Sequence, residues 1–173
     1  MITGKPLLTT EQIHDKVVQL AGVISRDYAD KEILAIGILK GAFVFFADLI
    51  RALKLPVTVD FIIASSYFKA ESGGETAVYY EPRENLKGRH VLLIDDIIDT
   101  GISLSHIREK MLLQKPASLR ICALLDKKER RVVDVPIDYI GFAIPNQFVV
   151  GYGLDYDNKY RNLPYIAIFK QET

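Results

Sequence analysis

The densest run of chemically capable side chains is VLLIDDIIDTGIS, residues 91–103, in which an apolar stretch ends in Asp95, Asp96 and Asp99 and turns through Thr100 and Gly101. Three carboxylates so close together repel one another, so the arrangement calls for a cation or a polyhydroxyl ligand to offset them. The backbone N–H groups of residues 100–103, with the hydroxyls of Thr100 and Ser103, are placed to wrap a phosphate at the start of a helix. Gly101 lets that backbone approach closely. Capping of a helix by Asp99 or Thr100 would by itself need neither the adjacent acids nor their spacing. The run matches neither GxxxxGK[ST] nor GxGxxG, so it is a different kind of phosphate loop from those two.

The surrounding periodicity predicts the elements that hold this run. Residues 33–39 are a nearly unbroken apolar stretch, which suits a strand covered on both faces. Lys40-Gly41 then turns into 42–53, where Phe43, Phe46, Ala47, Ile50 and Leu53 recur at helical spacing and predict the buried face, with Pro56 as the stop. Val57, Val59, Phe61 and Ile63 alternate with Thr58, Asp60 and Ile62, predicting a strand with one face buried. The polar, glycine-bearing residues 65–75 read as a long loop of the lid kind. A strand over 91–94 ends before the acids. A helix carrying Leu104, Ile107, Met111 and Leu112 stops before Pro116, and strands follow over 119–125, 137–142 and 165–169. Upstream, Thr9 and Thr10 cap an amphipathic helix that presents Ile13, Val17, Leu20, Ala21 and Ile24. The βαβ order predicts one α/β domain over 1–173 with a mainly parallel twisted sheet flanked by helices. In such a sheet ligands collect beyond the carboxyl ends of strands, which adds Lys40 and Gly41 to the acids as candidates.

Composition excludes several classes. With 22 basic and 22 acidic residues the net charge is zero, and 49% of the chain is hydrophobic, far from the composition of disordered proteins. A pI of 6.8 argues against a nucleic-acid partner, which calls for a basic stripe. Cys122, the single cysteine, allows no disulfide framework and reads as a buried, inert thiol. No apolar stretch approaches the ~20 residues of a membrane span, and the amino terminus has no basic region followed by an apolar one. A cytoplasmic setting is the expectation.

The 91–103 run resembles the phosphoribosyl pyrophosphate motif of type I phosphoribosyltransferases, and the wider chain is similar to the hypoxanthine-guanine phosphoribosyltransferase family. The supporting segments are ILKG (38–41) followed by FVFFADL, Ser66-Tyr67 opening the long loop, LLDK ending at Lys127, and FVVGYGLDYDNKYRNLPYI from 148 to 166. The resemblance implies the type I phosphoribosyltransferase fold, with a small hood built from the chain ends and a flexible lid loop. It also implies transfer of ribose 5-phosphate to N9 of a 6-oxopurine through an oxocarbenium-like transition state, with magnesium, in a homodimer or homotetramer.

Residue by residue, the resemblance assigns the 5'-phosphate and ribose to Asp95, Asp96, Asp99, Thr100, Gly101, Ile102 and Ser103. Many purine enzymes of the family have Glu where Asp95 stands, and Ile102 replaces the lysine or other residues of some relatives. Asp99 matches the general base near N7. Lys40, Gly41 and Arg161 match the pyrophosphate site, with a non-proline cis peptide before the lysine. Lys127, Phe148, Val149 and Asp155 match the purine pocket, and Asp95, Asp96 and Asp155 the magnesium ligands. Ser66 and Tyr67 match the lid. The neighbours of Lys127, namely Asp126, Lys128, Glu129, Arg130 and Arg131, read as a solvated charge run. Two alternatives stay open: a xanthine-preferring enzyme of the same fold, and a phosphoribosyl-binding transcriptional regulator, for which a neutral chain offers no basic surface.

Overall fold

The computed structural model describes residues 1–66 and 76–170. Thr9 starts α1 (Thr10–Asp27) with a reciprocal cap: its hydroxyl accepts from Gln12 N at 3.3 Å, while Gln12 Oε1 accepts from Thr9 N at 2.9 Å. The five apolar positions predicted for this helix are all buried. β1 (Ile33–Leu39) follows, buried along nearly its whole length. α2 (Phe43–Ala52) returns the chain to β2 (Val57–Ser66), which pairs parallel to β1 from Ile33↔Val57 to Leu39↔Ile63. β3 (Thr76–Tyr80) adds an antiparallel edge. β4 (His90–Ile98) lies on the other side of β1, α3 (Ile102–Leu113) crosses over, and β5 (Ser118–Asp126) and β6 (Tyr139–Ala143) extend the sheet.

The strand order β3-β2-β1-β4-β5-β6 reverses direction between β1 and β4. At that reversal the loops leaving the two strands diverge to opposite faces and open a crevice above their carboxyl ends. Two apolar cores flank the sheet. One, under α1 and α2, includes Ile24, Phe45, Leu49 and Leu124; the other, under α3, includes Leu93, Ile107, Met111 and Val135. Over the crevice stands the small hood, where β7 (Val149–Val150) pairs antiparallel to β8 (Ala167–Ile168). The amino-terminal segment joins it through bridges Ile2↔Phe169 and Leu8↔Ile166.

The structure corrects four expectations. First, β4 continues through Ile98, which pairs with Asp126, so Asp95 and Asp96 sit within the strand rather than after it. A neighbouring parallel strand satisfies the backbone polar groups whatever the side chains are, so the ladder outlasts the apolar run. Second, of the predicted α2 face only Phe46 is buried; the helix buries Phe45, Phe46 and Leu49, and Phe43 is 44% exposed. The helix is apolar nearly all round, so periodicity alone could not select its inward side. Third, on β2 the buried positions are Asp60 and Ile62, while Val59 and Ile63 lie exposed. Asp60 is retained inside because its carboxylate accepts from Phe61 N at 2.8 Å and from Glu84 N at 2.9 Å as the 81–89 segment folds over it. Fourth, Leu112 of α3, read as part of its apolar face, is exposed.

Candidate active site

The crevice is floored by β4. Asp95 and Asp96 retain some accessible surface but lie deep enough that burial dominates their titration. Burial first, and then the neighbouring charge of Asp96, hold the Asp95 carboxyl well above the usual carboxylate range. Asp96 is also raised by burial, opposed by backbone hydrogen bonds and by the positive charge of Arg161. Asp95 Oδ1 accepts from Asp96 N at 3.0 Å, fixing the first carboxylate along the strand.

β1 delivers Lys40 and Gly41 directly onto this pair. The Leu39–Lys40 peptide is cis, as the resemblance implies. A methyl group added to Gly41 would lie 1.8 Å from Asp96 Oδ2, and one added to Gly153 would lie 2.2 Å from the Gly41 carbonyl oxygen. Only glycine at both places lets the hood turn, the β1 loop and the acid pair stack without a gap. Arg161 locks the hood turn from within. Its guanidinium donates to the Gly153 carbonyl at 2.7 Å and pairs with Asp155 at 2.8 Å. Asp155, Arg161, Gly41 and Asp96 therefore converge.

The 99–103 loop continues from β4. Gly101 precedes α3 with φ +82°, no side chain caps the helix, and Ile102 N donates to Thr100 Oγ1 at 3.4 Å. Thr100 O accepts from Val132 N at 2.9 Å and Val133 N at 3.1 Å, and Lys127 N donates to Ile98 O at 3.0 Å. Ile102 and Ser103 open α3 itself. Segment 127–133 thus forms a backbone bracket under the loop.

Lys128, Glu129 and Arg130 are exposed, as a solvated charge run would be, but Asp126 and Arg131 depart from that reading. Asp126 is fully buried and accepts from Arg131 at 2.9 Å, while Arg130 Nε lies 2.5 Å from Asp99 Oδ1 as an ion pair without hydrogen-bond geometry. A 3₁₀ turn over Lys128–Arg130 directs successive side chains apart, inward and outward, which no one-dimensional charge pattern shows. Lys127 is itself only 7% exposed, and burial lowers its proton affinity from the ordinary 10.5 against the pull of Asp99. Neither Arg130 nor Gly153 stood out in the sequence. A glycine between two aromatic-rich turns was the one available signal for Gly153.

On the hood side Phe148 is 49% exposed and meets Tyr156 edge to face at 5.9 Å, and Tyr156 stacks on Phe169 at 4.4 Å. Val149, beside it, is buried in β7 opposite Ile168. A flat apolar face is thereby presented beside Asp155 and its arginine. Ser66 ends β2, and Tyr67 lies outside the described residues.

Among the described residues no group of three or more His, Cys, Asp or Glu side chains is preassembled for a metal ion. The donors that do exist suit magnesium, which keeps several waters and takes one or two carboxylates together with substrate oxygens. Two adjacent carboxylates whose burial penalises their charge are the kind of donors a divalent cation stabilises.

A parallel sheet with an acid pair and a glycine-tight β1 loop at its switch point defines an α/β protein with a ligand crevice at the carboxyl ends of β1 and β4. The profile of the phosphoribosyl transferase domain matches residues 5–157, and the chain belongs to that family. It is 42% identical over 165 residues to the hypoxanthine phosphoribosyltransferase of Haemophilus influenzae, covering 93% of this chain and 92% of that protein. It is 40% identical to the hypoxanthine-guanine-xanthine phosphoribosyltransferase of Tritrichomonas foetus, covering 96% and 92%. A crystal structure of a hypoxanthine-guanine phosphoribosyltransferase from Bacillus anthracis superposes with a TM-score of 0.94 at 46% identity, over 98% of this chain and all of that one. The fold is that of type I phosphoribosyltransferases.

Proposed function

We propose that this protein is a purine-salvage transferase that moves the 5-phosphoribosyl group from phosphoribosyl pyrophosphate to N9 of hypoxanthine or guanine, releasing pyrophosphate. The observation that carries this reading is the convergence of Gly41, Asp96, Gly153 and Arg161 at the β1/β4 switch point, one residue turn from the loop 99–103. The loop takes the 5'-phosphate through backbone N–H groups, and Asp95 and Asp96 take the ribose hydroxyls. Lys40, Gly41 and Arg161 take pyrophosphate, the planar guanidinium matching two phosphate oxygens. Phe148 stacks on the purine, Val149 meets its edge, Lys127 donates to the 6-oxo group and Asp99 accepts the proton near N7. Ser66 and Tyr67 belong to the lid that excludes water.

Magnesium would be held by Asp95 or Asp96 and by Asp155, and when bound it supplies positive charge to the departing pyrophosphate. Asp155 must exchange Arg161 for that role. A cytoplasmic setting and assembly as a homodimer or homotetramer belong to the same reading. No helix among the described residues is long and apolar enough to cross a membrane.

A spectrophotometric assay of nucleotide formation with hypoxanthine, guanine and xanthine tests the proposal. Turnover with the first two and a fall of about 10²–10⁴-fold in kcat for Asp99→Asn, with folding intact, is the expected result. Undiminished turnover in Asp99→Asn removes that residue from the mechanism, and turnover with xanthine alone replaces the substrate assignment.

A further inference from the structure

Asp99 faces two cations from the same short bracket, and only one of them holds it. Arg130 Nε lies 2.5 Å from Asp99 Oδ1, a buried oxygen with no hydrogen bond of its own among the described residues. Lys127 interacts electrostatically with both Asp99 and Arg130 yet forms no ion pair among the described residues. The bracket carrying the two cations is anchored at both ends. Lys127 N bonds Ile98 O at 3.0 Å, Arg130 N bonds Lys127 O at 2.9 Å, and Arg131 is tied to the fully buried Asp126. The side chain of Arg130 is nearly half exposed, so it adds little to the core.

We propose that Arg130 is a positioning residue for the purine end of the site, holding Asp99 so that the Lys127 ammonium stays unpaired for the substrate's 6-oxo group. This rests on the reading above, in which Lys127 and Asp99 attend the purine. The Asp99 side chain is 43% exposed, but its Oδ1 is buried and has no hydrogen bond, and a buried carboxylate oxygen is paired with the nearest available cation. With Arg130 gone, that cation is Lys127. A Lys127–Asp99 pair would neutralise the donor for the 6-oxo group and the acceptor near N7 at once, and an incoming purine would have to break it. The bracket's backbone bonds Ile98 O and Thr100 O on either side of Asp99, and the Arg130 side chain meets the loop at the Asp99 carboxylate alone. The effect therefore falls on the purine and spares the phosphoribosyl donor.

Steady-state kinetics of Arg130→Ala, Arg130→Lys, Lys127→Met and the Arg130→Ala/Lys127→Met double variant provide the test. Arg130→Ala is expected to raise KM for hypoxanthine by about tenfold and lower kcat, with KM for phosphoribosyl pyrophosphate within about twofold of the parent. Arg130→Lys restores most of the loss, and Arg130→Ala adds nothing to KM for hypoxanthine once Lys127 is Met. An unchanged KM for hypoxanthine in Arg130→Ala overturns the proposal. So does a parallel rise in KM for phosphoribosyl pyrophosphate, which would mark a brace for the phosphate loop, or full additivity in the double variant. Lys127→Met alone separates the levels: if it leaves KM for hypoxanthine unchanged, the assignment of Lys127 to the purine has failed, whatever Arg130 does.

Discussion

Lys127 shows at the scale of one residue how binding capacity and stability oppose each other. Its charged form is disfavoured by burial, so its proton affinity in the folded chain is depressed below the ordinary 10.5. Between that depressed value and 10.5 the unfolded chain holds a proton the native chain has released, so stability rises with pH across the window. Below the window both states are charged and the full penalty applies. Lys127→Met removes it. The variant is therefore expected to melt a few degrees above the parent at pH 7, an advantage that shrinks as pH climbs toward 10.5, while its turnover falls. Thermal unfolding of the two proteins over a pH series measures this; a constant difference in Tm would assign the gain to packing of the methionine instead. The stabilised but impaired variant is the pattern expected where a site holds a charge for its substrate rather than for its fold.

At the scale of elements, the tightest constraint is the contact between the β1 loop and β4. A Gly41→Ala methyl group collides with the Asp96 carboxylate, a flexible group that can move aside only by leaving its place in the site. Overpacking of this kind costs about 1–3 kcal/mol, and the displaced acid should lower kcat/KM by about 10²-fold. Gly22→Ala in α1, where an added methyl group meets nothing within 4 Å, is the control, expected to gain about 0.5–1 kcal/mol with full activity. Denaturant unfolding and kinetics of both variants check the contrast. The sequence showed which residues gather at the crevice, Asp95, Asp96, Lys40 and Gly41, through residue type and the order of strands and turns, while it placed the acids after the strand rather than inside it. It carried α1 because that helix has one polar and one apolar side. It could not orient α2, whose apolar residues surround the axis, nor β2, where Asp60 is buried by hydrogen bonds from a segment more than twenty residues away. Arg130 and Arg131 were illegible for a related reason. Adjacent residues of like charge are sent to different carboxylates by a single 3₁₀ turn, and both carboxylates are brought there by the sheet.

Across the whole molecule, the zero net charge conceals a division of labour between two bodies. β4 supplies Asp95 and Asp96 and the loop after it Asp99, while the hood supplies Asp155, Arg161 and the aromatic wall, and the two meet at Gly153 against Gly41. The hood has little sheet of its own. Two two-residue strands, the bridges to Ile2 and Leu8, short bridges within the turns and an aromatic cluster hold it. Phe169 is central to that cluster, 7% exposed, stacked on Tyr156 and within ring contact of Phe148 and Tyr160, with its N–H donated to Phe148 O at 2.8 Å. Each edge or stacked pair is worth about 0.5–1.5 kcal/mol beyond burial. Phe169→Ala therefore leaves the ring of Phe148 poorly supported. KM for hypoxanthine should rise by about tenfold, the equivalent of about 1.4 kcal/mol, with KM for phosphoribosyl pyrophosphate within about twofold. If both constants rise together, the hood positions donor and acceptor as one unit. If only the first rises, the support that Phe169 gives Phe148 acts on the purine alone, and Arg161 of the same hood keeps its place without it.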